Sequence, residues 1–229
     1  MKLAIAGFHE GLAGQVSSWV SLLSPSLELV CFLHPHDEEP LVSSSAKSNR
    51  ANSRFVFPNA GFYRQFPLIF GKDWSLQLKA LGVSHILPSI PDSVDRAELV
   101  KTALLNNFQL LTAIHPSSVI LPGSQIAPGC IIEPNVYIGF DVDIGIACHL
   151  HAGCQVDHNS VLGDFVTLNP RAVVAGNSLI GSRSCINLAA CVSNSVKLGE
   201  NTTVAAGAIV LRSYTLPDLR LFGIPAVPR

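Results

Sequence analysis

From Ser118 to Ser213 an aliphatic residue returns at every sixth position. The series is Ile120, Ile126, Ile132, Ile138, Ile144, Leu150, Val156, Leu162, Leu168, Val174, Ile180, Ile186, Val192, Leu198, Val204 and Val210. Two residues before each stands a Ser, Cys, Val, Ala or Thr. A short fixed period marks stacked identical units, none of which buries its apolar side alone. Here the unit is one short strand plus a turn. Gly145, Gly163, Gly181 and Gly199 add a second period of eighteen, which is three hexapeptides. The pattern therefore predicts a parallel β-helix: a prism of three flat faces and a little over five coils. The aliphatic residue points inward. The small residue lies at a tight corner, and the glycine ladder marks places that need a tight corner or φ > 0.

The first half has a different rhythm. Leu3–Gly7 and Leu27–Leu33 read as apolar strands around a helix over Gly11–Leu23, with Val16, Trp19, Val20 and Leu23 on one face. His36–Gln65 holds an acidic run, serines, Pro58 and Gly61, and reads as a long loop or insertion. Leu68–Phe70 and Val83–Leu87 are strand-like and Asp73–Leu81 is helical. Ser93–Asn106 reads as a helix with Val94, Ala97, Val100, Leu104 and Leu105 apolar, and Phe108–Ile114 as a closing strand. Alternation of this kind predicts a small Rossmann-like α/β domain with a parallel sheet, whose ligands sit at the carboxyl ends of the strands. Three parts follow: an α/β domain over 1–115, the prism over 116–213 and a tail over 214–229 that covers the last coil.

Composition narrows the function. With 229 residues the chain has room for one or two domains, and its net charge of −1 gives no electrostatic case for nucleic acid. No apolar run approaches the roughly 18 residues of a membrane span, so no membrane partner is expected. The start lacks the apolar core of a signal peptide, which points to the cytoplasm. Cys130, Cys148, Cys154, Cys185 and Cys191 lie inside the repeats and read as small buried hydrophobes; no CxxC pattern is present.

Eighteen-residue spacing stacks the polar residues that leave the array. Glu133, His151, Asn169 and Asn187 share one column, and His158 shares another with Phe140 and Gly176. Histidine is the commonest general base near neutral pH. A zinc site of His149, His151 and His158 would draw all three ligands from little more than half a coil, so no metal is expected. The glycines of Gly7–Gly11 open a helix and suit a phosphate, although Glu10 opposes an anion and the motif is not GxGxxG.

Three segments, Val156–Phe165, Ala175-Gly176-Asn177 and Gly223-Ile224-Pro225-Ala226, resemble the hexapeptide-repeat acyltransferases. The nearest branch holds sialic acid O-acetyltransferases and N-acetyltransferases of amino-sugar nucleotides such as UDP-bacillosamine and GDP-perosamine precursors. Gly7–Gly11 resembles the family's glycine loop. Ser89-Ile90-Pro91-Asp92 followed by Arg96 resembles the Ile-Gly-Asn/Asp…Arg segment of its first domain, and Ile114–Ser117 resembles its domain junction. The resemblance implies a left-handed β-helix, a homotrimer, and acetyl-CoA lying between neighbouring prisms. It implies a sugar nucleotide on the first domain, near Gly7, His9, Glu10, His34 and Arg96. His158 falls on the family's general base, with Asn159 or Asp157 to orient it. Gly176, Leu188 and Ala206 fall on positions bordering the CoA arm, and Arg212 is placed by its charge to meet a CoA phosphate. Four departures stand out. Asn159 replaces an acidic residue, Thr167 a second histidine and His151 an asparagine; His34-Pro35 replaces an acidic pair.

The reading that follows is acyl transfer, acetyl by default, from CoA to an amino or hydroxyl group of a sugar or sugar nucleotide, in surface glycan or lipopolysaccharide biosynthesis. The competing reading is a non-catalytic trimeric binding or scaffold protein of the same fold.

Overall fold

The computed structural model describes residues 1–7, 10–35 and 61–228, with Glu10 and Gly11 described by their backbone alone. Phe8, His9 and most of the 36–65 segment lie outside the described residues. Chain contacts divide the molecule into two units. One holds Met1–Pro91 and Glu98–Leu110; the other holds Asp92–Ala97 and Leu111–Arg229.

The first unit is built on strands β1 (Lys2–Ala6), β2 (Glu28–His34), β3 (Phe62–Tyr63), β4 (Phe66–Phe70), β5 (His85–Pro88) and β6 (Gln109–Leu110). Their order is β3-β4-β2-β1-β5-β6, with only β3 antiparallel. The strand order reverses beside β1, which makes the carboxyl ends of β1 and β5 the crevice of this sheet. The expected first helix is three short pieces: a wide π turn over Glu10–Gly14, α1 (Gln15–Trp19) and a tighter turn over Val20–Leu22. Val16, Trp19 and Val20 are buried as expected. Helix α2 spans Trp74–Ala80.

Helix α3 (Ser93–Leu105) forms where expected but buries a different face. Val94 and Leu105 are 63% and 75% exposed, whereas Arg96, Leu99, Val100 and Ala103 are buried. Those four positions are three and four apart and form one stripe. An arginine heads the stripe, so a count of apolar letters alone selects the wrong side. Asp92 Oδ1 accepts the backbone N–H groups of Val94 and Asp95 at 2.8 and 3.0 Å and caps the helix. The strand expected over Phe108–Ile114 is two strands: β6 joins the first sheet, and Ala113–Ile114 is the first rung of the prism.

The second unit is a parallel β-helix. Each of the sixteen aliphatic positions is the second residue of a two-residue strand, and strands pair at an offset of eighteen, as Tyr137–Ile138 pairs with Gln155–Val156. The first face runs from Ala113–Ile114 through His149–Leu150 and Thr167–Leu168 to Thr203–Val204. The second carries Gln155–Val156 and the third Val161–Leu162. The aliphatic residues from Ile132 to Val210 form one core; only Ile120 and Ile126, in the open first coil, are partly covered. Each buried rung contributes about 1.5–3 kcal/mol. The tail supplies Leu221 and Ala226 to the far end of this core.

The corners differ from the expectation in one respect. The left-handed backbone falls three residues before every aliphatic position after the first, at Asn135, Asp141, Ala147, Asn159, Phe165, Arg171, Asn177 and their equivalents. The ladder glycines do not adopt positive φ. They are glycine for want of room: a Cβ on Gly181 would meet the backbone of Gly199 and Glu200 at 2.5 Å. Gly207 is the opposite case, with φ +68° and open space around it. Gly181→Ala is therefore expected to lower stability by about 1–3 kcal/mol, as overpacking does. Gly207→Ala should cost only about 1 kcal/mol of backbone strain. Chemical denaturation of the two variants side by side checks the order.

The small residues after each left-handed position also work as donors. Ser160 Oγ bonds Ala175 O at 3.1 Å, Ser178 Oγ bonds Ser193 O at 3.0 Å, and Cys148 Sγ bonds Gly163 O at 3.1 Å. Corner carbonyls are thus satisfied from inside the prism. All six cysteines are free. Burial pushes the Cys31 thiol up to about 12 and raises those of Cys154 and Cys185. This is the behaviour of structural rather than reactive thiols.

Candidate functional site

His158 stands on the edge between the second and third faces. Val156 ends a strand, Asp157 and His158 turn the corner, and Asn159 at φ 58° takes the left-handed step. Asparagine tolerates that conformation better than most residues. The step carries the Asn159 amide alongside the ring, and Asn159 Oδ1 lies 3.0 Å from His158 Nδ1. With the amide oxygen as acceptor, Nδ1 carries the proton and Nε2 keeps its lone pair. Asp157 does not meet the ring; its Oδ1 accepts the backbone N–H of His158 at 2.8 Å. The histidine and its asparagine are both exposed.

Gly176 lies one coil further along the same edge. A Cβ there would sit 2.6 Å from His158 Nε2 and 2.7 Å from Cε1. Gly176 is buried, and the imidazole covers it. Its lack of a side chain is what lets the ring lie flat along the edge. One coil before His158 on the same edge is Phe140, 50% exposed, whose carbonyl accepts the Asn159 N–H at 2.9 Å. Arg212 is three coils beyond His158 in the same column. Its guanidinium lies 5.4 Å from the Tyr214 ring centroid, and Nε contacts Tyr214 Oη at 3.0 Å. Leu188 and Ala206 are exposed neighbours on a different edge, between the first and second faces.

His151 belongs to that second edge. Its Nδ1 lies 3.1 Å from Glu133 Oε1, and the Glu133 side chain is only 3% exposed. Glu133 Oε2 accepts the Ala152 N–H at 2.9 Å. The column continues with Asn169 donating to Asn187 Oδ1 at 3.0 Å and Asn187 donating to Val204 O at 2.9 Å. Glu133 has a partner that the sequence reading did not assign to it; the eighteen-residue offset to His151 is the signal that finds it.

Arg96 and Thr167 are brought together, but not with His158. Arg96 is fully buried. Its Nη1 lies 3.0 Å from His149 Nδ1, and its Nη2 donates to Phe165 O at 2.7 Å and Thr167 Oγ1 at 3.0 Å. His149 and Thr167 are facing rungs of the first face. Burial lowers the Arg96 pKa to about 10, which still leaves it charged at neutral pH. An arginine so enclosed holds backbone and side chains in place. The three histidines weighed as zinc ligands turn to three different partners. Among the described residues no cluster of His, Cys, Asp or Glu is able to hold a metal.

In the first unit, Gly7, His34 and Ser89 follow or end β1, β2 and β5. Gly7 donates to Leu33 O at 2.7 Å, has φ +106°, and a Cβ there would meet Ser89 O at 2.8 Å. The glycine is required by both conformation and space. His9 lies outside the described residues, as does the side chain of Glu10. No helix among the described residues is long and apolar enough to cross a membrane.

Comparison with known proteins bears on this geometry. Residues 114–222, just under half of the chain, match the family model described as the GMPPB C-terminal domain. No curated protein matches the sequence. Among solved structures, PerB from Caulobacter crescentus in complex with CoA and GDP-perosamine is 24% identical, with a TM-score of 0.80 over 100% of this chain and 97% of that one. The acetyltransferase domain of PglB from Neisseria gonorrhoeae in complex with acetyl coenzyme A is 23% identical, with a TM-score of 0.77 over 100% and 98%. WeeI from Acinetobacter baumannii is 20% identical, with a TM-score of 0.71 over the whole of both chains. The chain shares their fold. A small α/β unit followed by a left-handed parallel β-helix is common to all of them, end to end.

Proposed function

We propose that this protein transfers an acyl group, acetyl by default, from CoA to an amino or hydroxyl group of a sugar or sugar nucleotide. The observation that carries the reading is His158: an exposed imidazole on a prism edge, its Nδ1 held by Asn159 and its Nε2 left as an acceptor over Gly176. Support comes from a fold shared over the whole chain with PerB and the PglB domain, which are seen with CoA and GDP-perosamine or with acetyl coenzyme A.

In this mechanism His158 Nε2 takes the proton from the acceptor as its nitrogen or oxygen attacks the thioester carbonyl. The new C–N or C–O bond forms, the C–S bond breaks, and CoA leaves as the thiolate. Asn159 fixes the tautomer and the ring plane throughout. Arg212 meets a CoA phosphate, and Leu188 and Ala206 on the other edge border the CoA arm of a neighbouring prism in a homotrimer. His151 lines the same junction. The crevice at Gly7 and His34 takes the acceptor's nucleotide, and His9 and Glu10 are the further residues assigned to it from the sequence. The setting is cytoplasmic synthesis of surface glycans.

The test is release of CoA thiol from acetyl-CoA in the presence of UDP-, GDP-, dTDP- and CMP-linked amino sugars. Release with at least one of them, with acetylated product by mass, is the expected result. No release with any member of the panel would overturn transfer in favour of a non-catalytic binding protein.

A further inference from the structure

One residue of the His158 edge is explained neither by the prism nor by acyl transfer as described. The column along this edge reads Phe140, His158, Gly176, Asn194, Arg212. Coils in a parallel sheet stack about 4.8 Å apart, so Arg212 stands roughly 14 Å from His158 and Phe140 a single coil away on the opposite side. A cation at that remove suits the phosphate end of a long donor, whose reactive carbonyl would then lie at the imidazole. The donor thus occupies the C-terminal side of His158, and the N-terminal side is left for the acceptor.

Phe140 is what the acceptor would meet there. It projects from the corner, not into the core, and half of its surface is open. The prism does not need it, since Gly176 and Asn194 serve at the equivalent positions. Its backbone is tied to the turn that carries the base, because the Phe140 carbonyl accepts the Asn159 N–H and Asn159 in turn meets the ring. An exposed phenyl ring presents a flat apolar surface, and the C–H face of a pyranose is the matching surface on a sugar.

We propose that Phe140 is the platform for the acceptor sugar ring, and that it selects acceptors presenting an apolar ring face beside the reacting amine or hydroxyl. The inference rests on the acyl-transfer reading and concerns only which side of His158 the acceptor takes. Covering the apolar ring face removes apolar surface from water and is worth about 3- to 10-fold in affinity.

The experiment is steady-state kinetics of Phe140→Ala and Phe140→Tyr with acetyl-CoA and the best acceptor of the panel, with mass in solution measured for each variant. Phe140→Ala should raise the acceptor KM about 3- to 10-fold, leave the acetyl-CoA KM unchanged and keep the wild-type mass; Phe140→Tyr should behave as wild type. An unchanged acceptor KM, or a rise in the acetyl-CoA KM instead, overturns the platform while leaving acyl transfer standing. So does a change of mass, which would make Phe140 a contact between subunits. A wild-type protein inert toward the whole panel removes both readings together.

Discussion

Arg96→Met is expected to destabilise the protein by about 3–5 kcal/mol, measured as the loss of unfolding free energy in denaturant. The guanidinium serves three acceptors at once: His149 Nδ1, Phe165 O and Thr167 Oγ1. His149 and Thr167 are buried and Phe165 is partly so, and a buried acceptor that loses its donor leaves its hydrogen bond unmade. Lysine should restore only part of the stability, because a single ammonium does not reproduce the planar fork that meets these acceptors together. A loss below about 1 kcal/mol for Arg96→Met would show the cluster to be dispensable. An acceptor KM that rises sharply in Arg96→Lys, with stability intact, would return Arg96 to the substrate.

This cluster also shows where the sequence stops being informative. The aliphatic series was readable because each rung demands the same thing: one side chain pointing into one core, every six residues. The coil of eighteen was readable for the same reason, since Gly145, Gly163 and Gly181 each face the backbone of the coil above. The left-handed corner was not. Asn135, Phe165, Arg171 and Ala189 all occupy it, and no shared chemistry marks them in the chain. Helix α3 could be placed but not turned, because its buried stripe begins with a charge. Arg96 meets His149 and Thr167 from far away in sequence, and nothing local to any of them signals the meeting. His158 lay between these cases. Its column followed from the period, but the partner of its ring required side-chain geometry to separate Asn159 from Asp157.

His158→Ala is expected to lower kcat about 10²- to 10⁴-fold with little change in either KM, the usual contribution of a general base. The more informative substitutions lie next to it. Asn159 holds Nδ1 as an acceptor without bringing a charge. During proton transfer the imidazole becomes imidazolium, and a neighbouring amide orients that cation without offsetting it, whereas a carboxylate does both. Asn159→Asp should therefore raise kcat, by about 10-fold, against the much larger penalty known for the reverse exchange in a serine hydrolase triad. Asn159→Gly keeps the left-handed backbone at φ 58° accessible while removing the amide, so its loss reports the ring's orientation alone. Gly176 gives an independent check, because an alanine there would put a methyl group 2.6 Å from Nε2 and push the ring off the edge. If His158 is the base, Gly176→Ala and Asn159→Gly both lower kcat and Asn159→Asp raises it. A kcat that ignores all three substitutions, in a protein that still releases CoA, would place the proton transfer elsewhere, with His151 and its buried Glu133 the next pair to test.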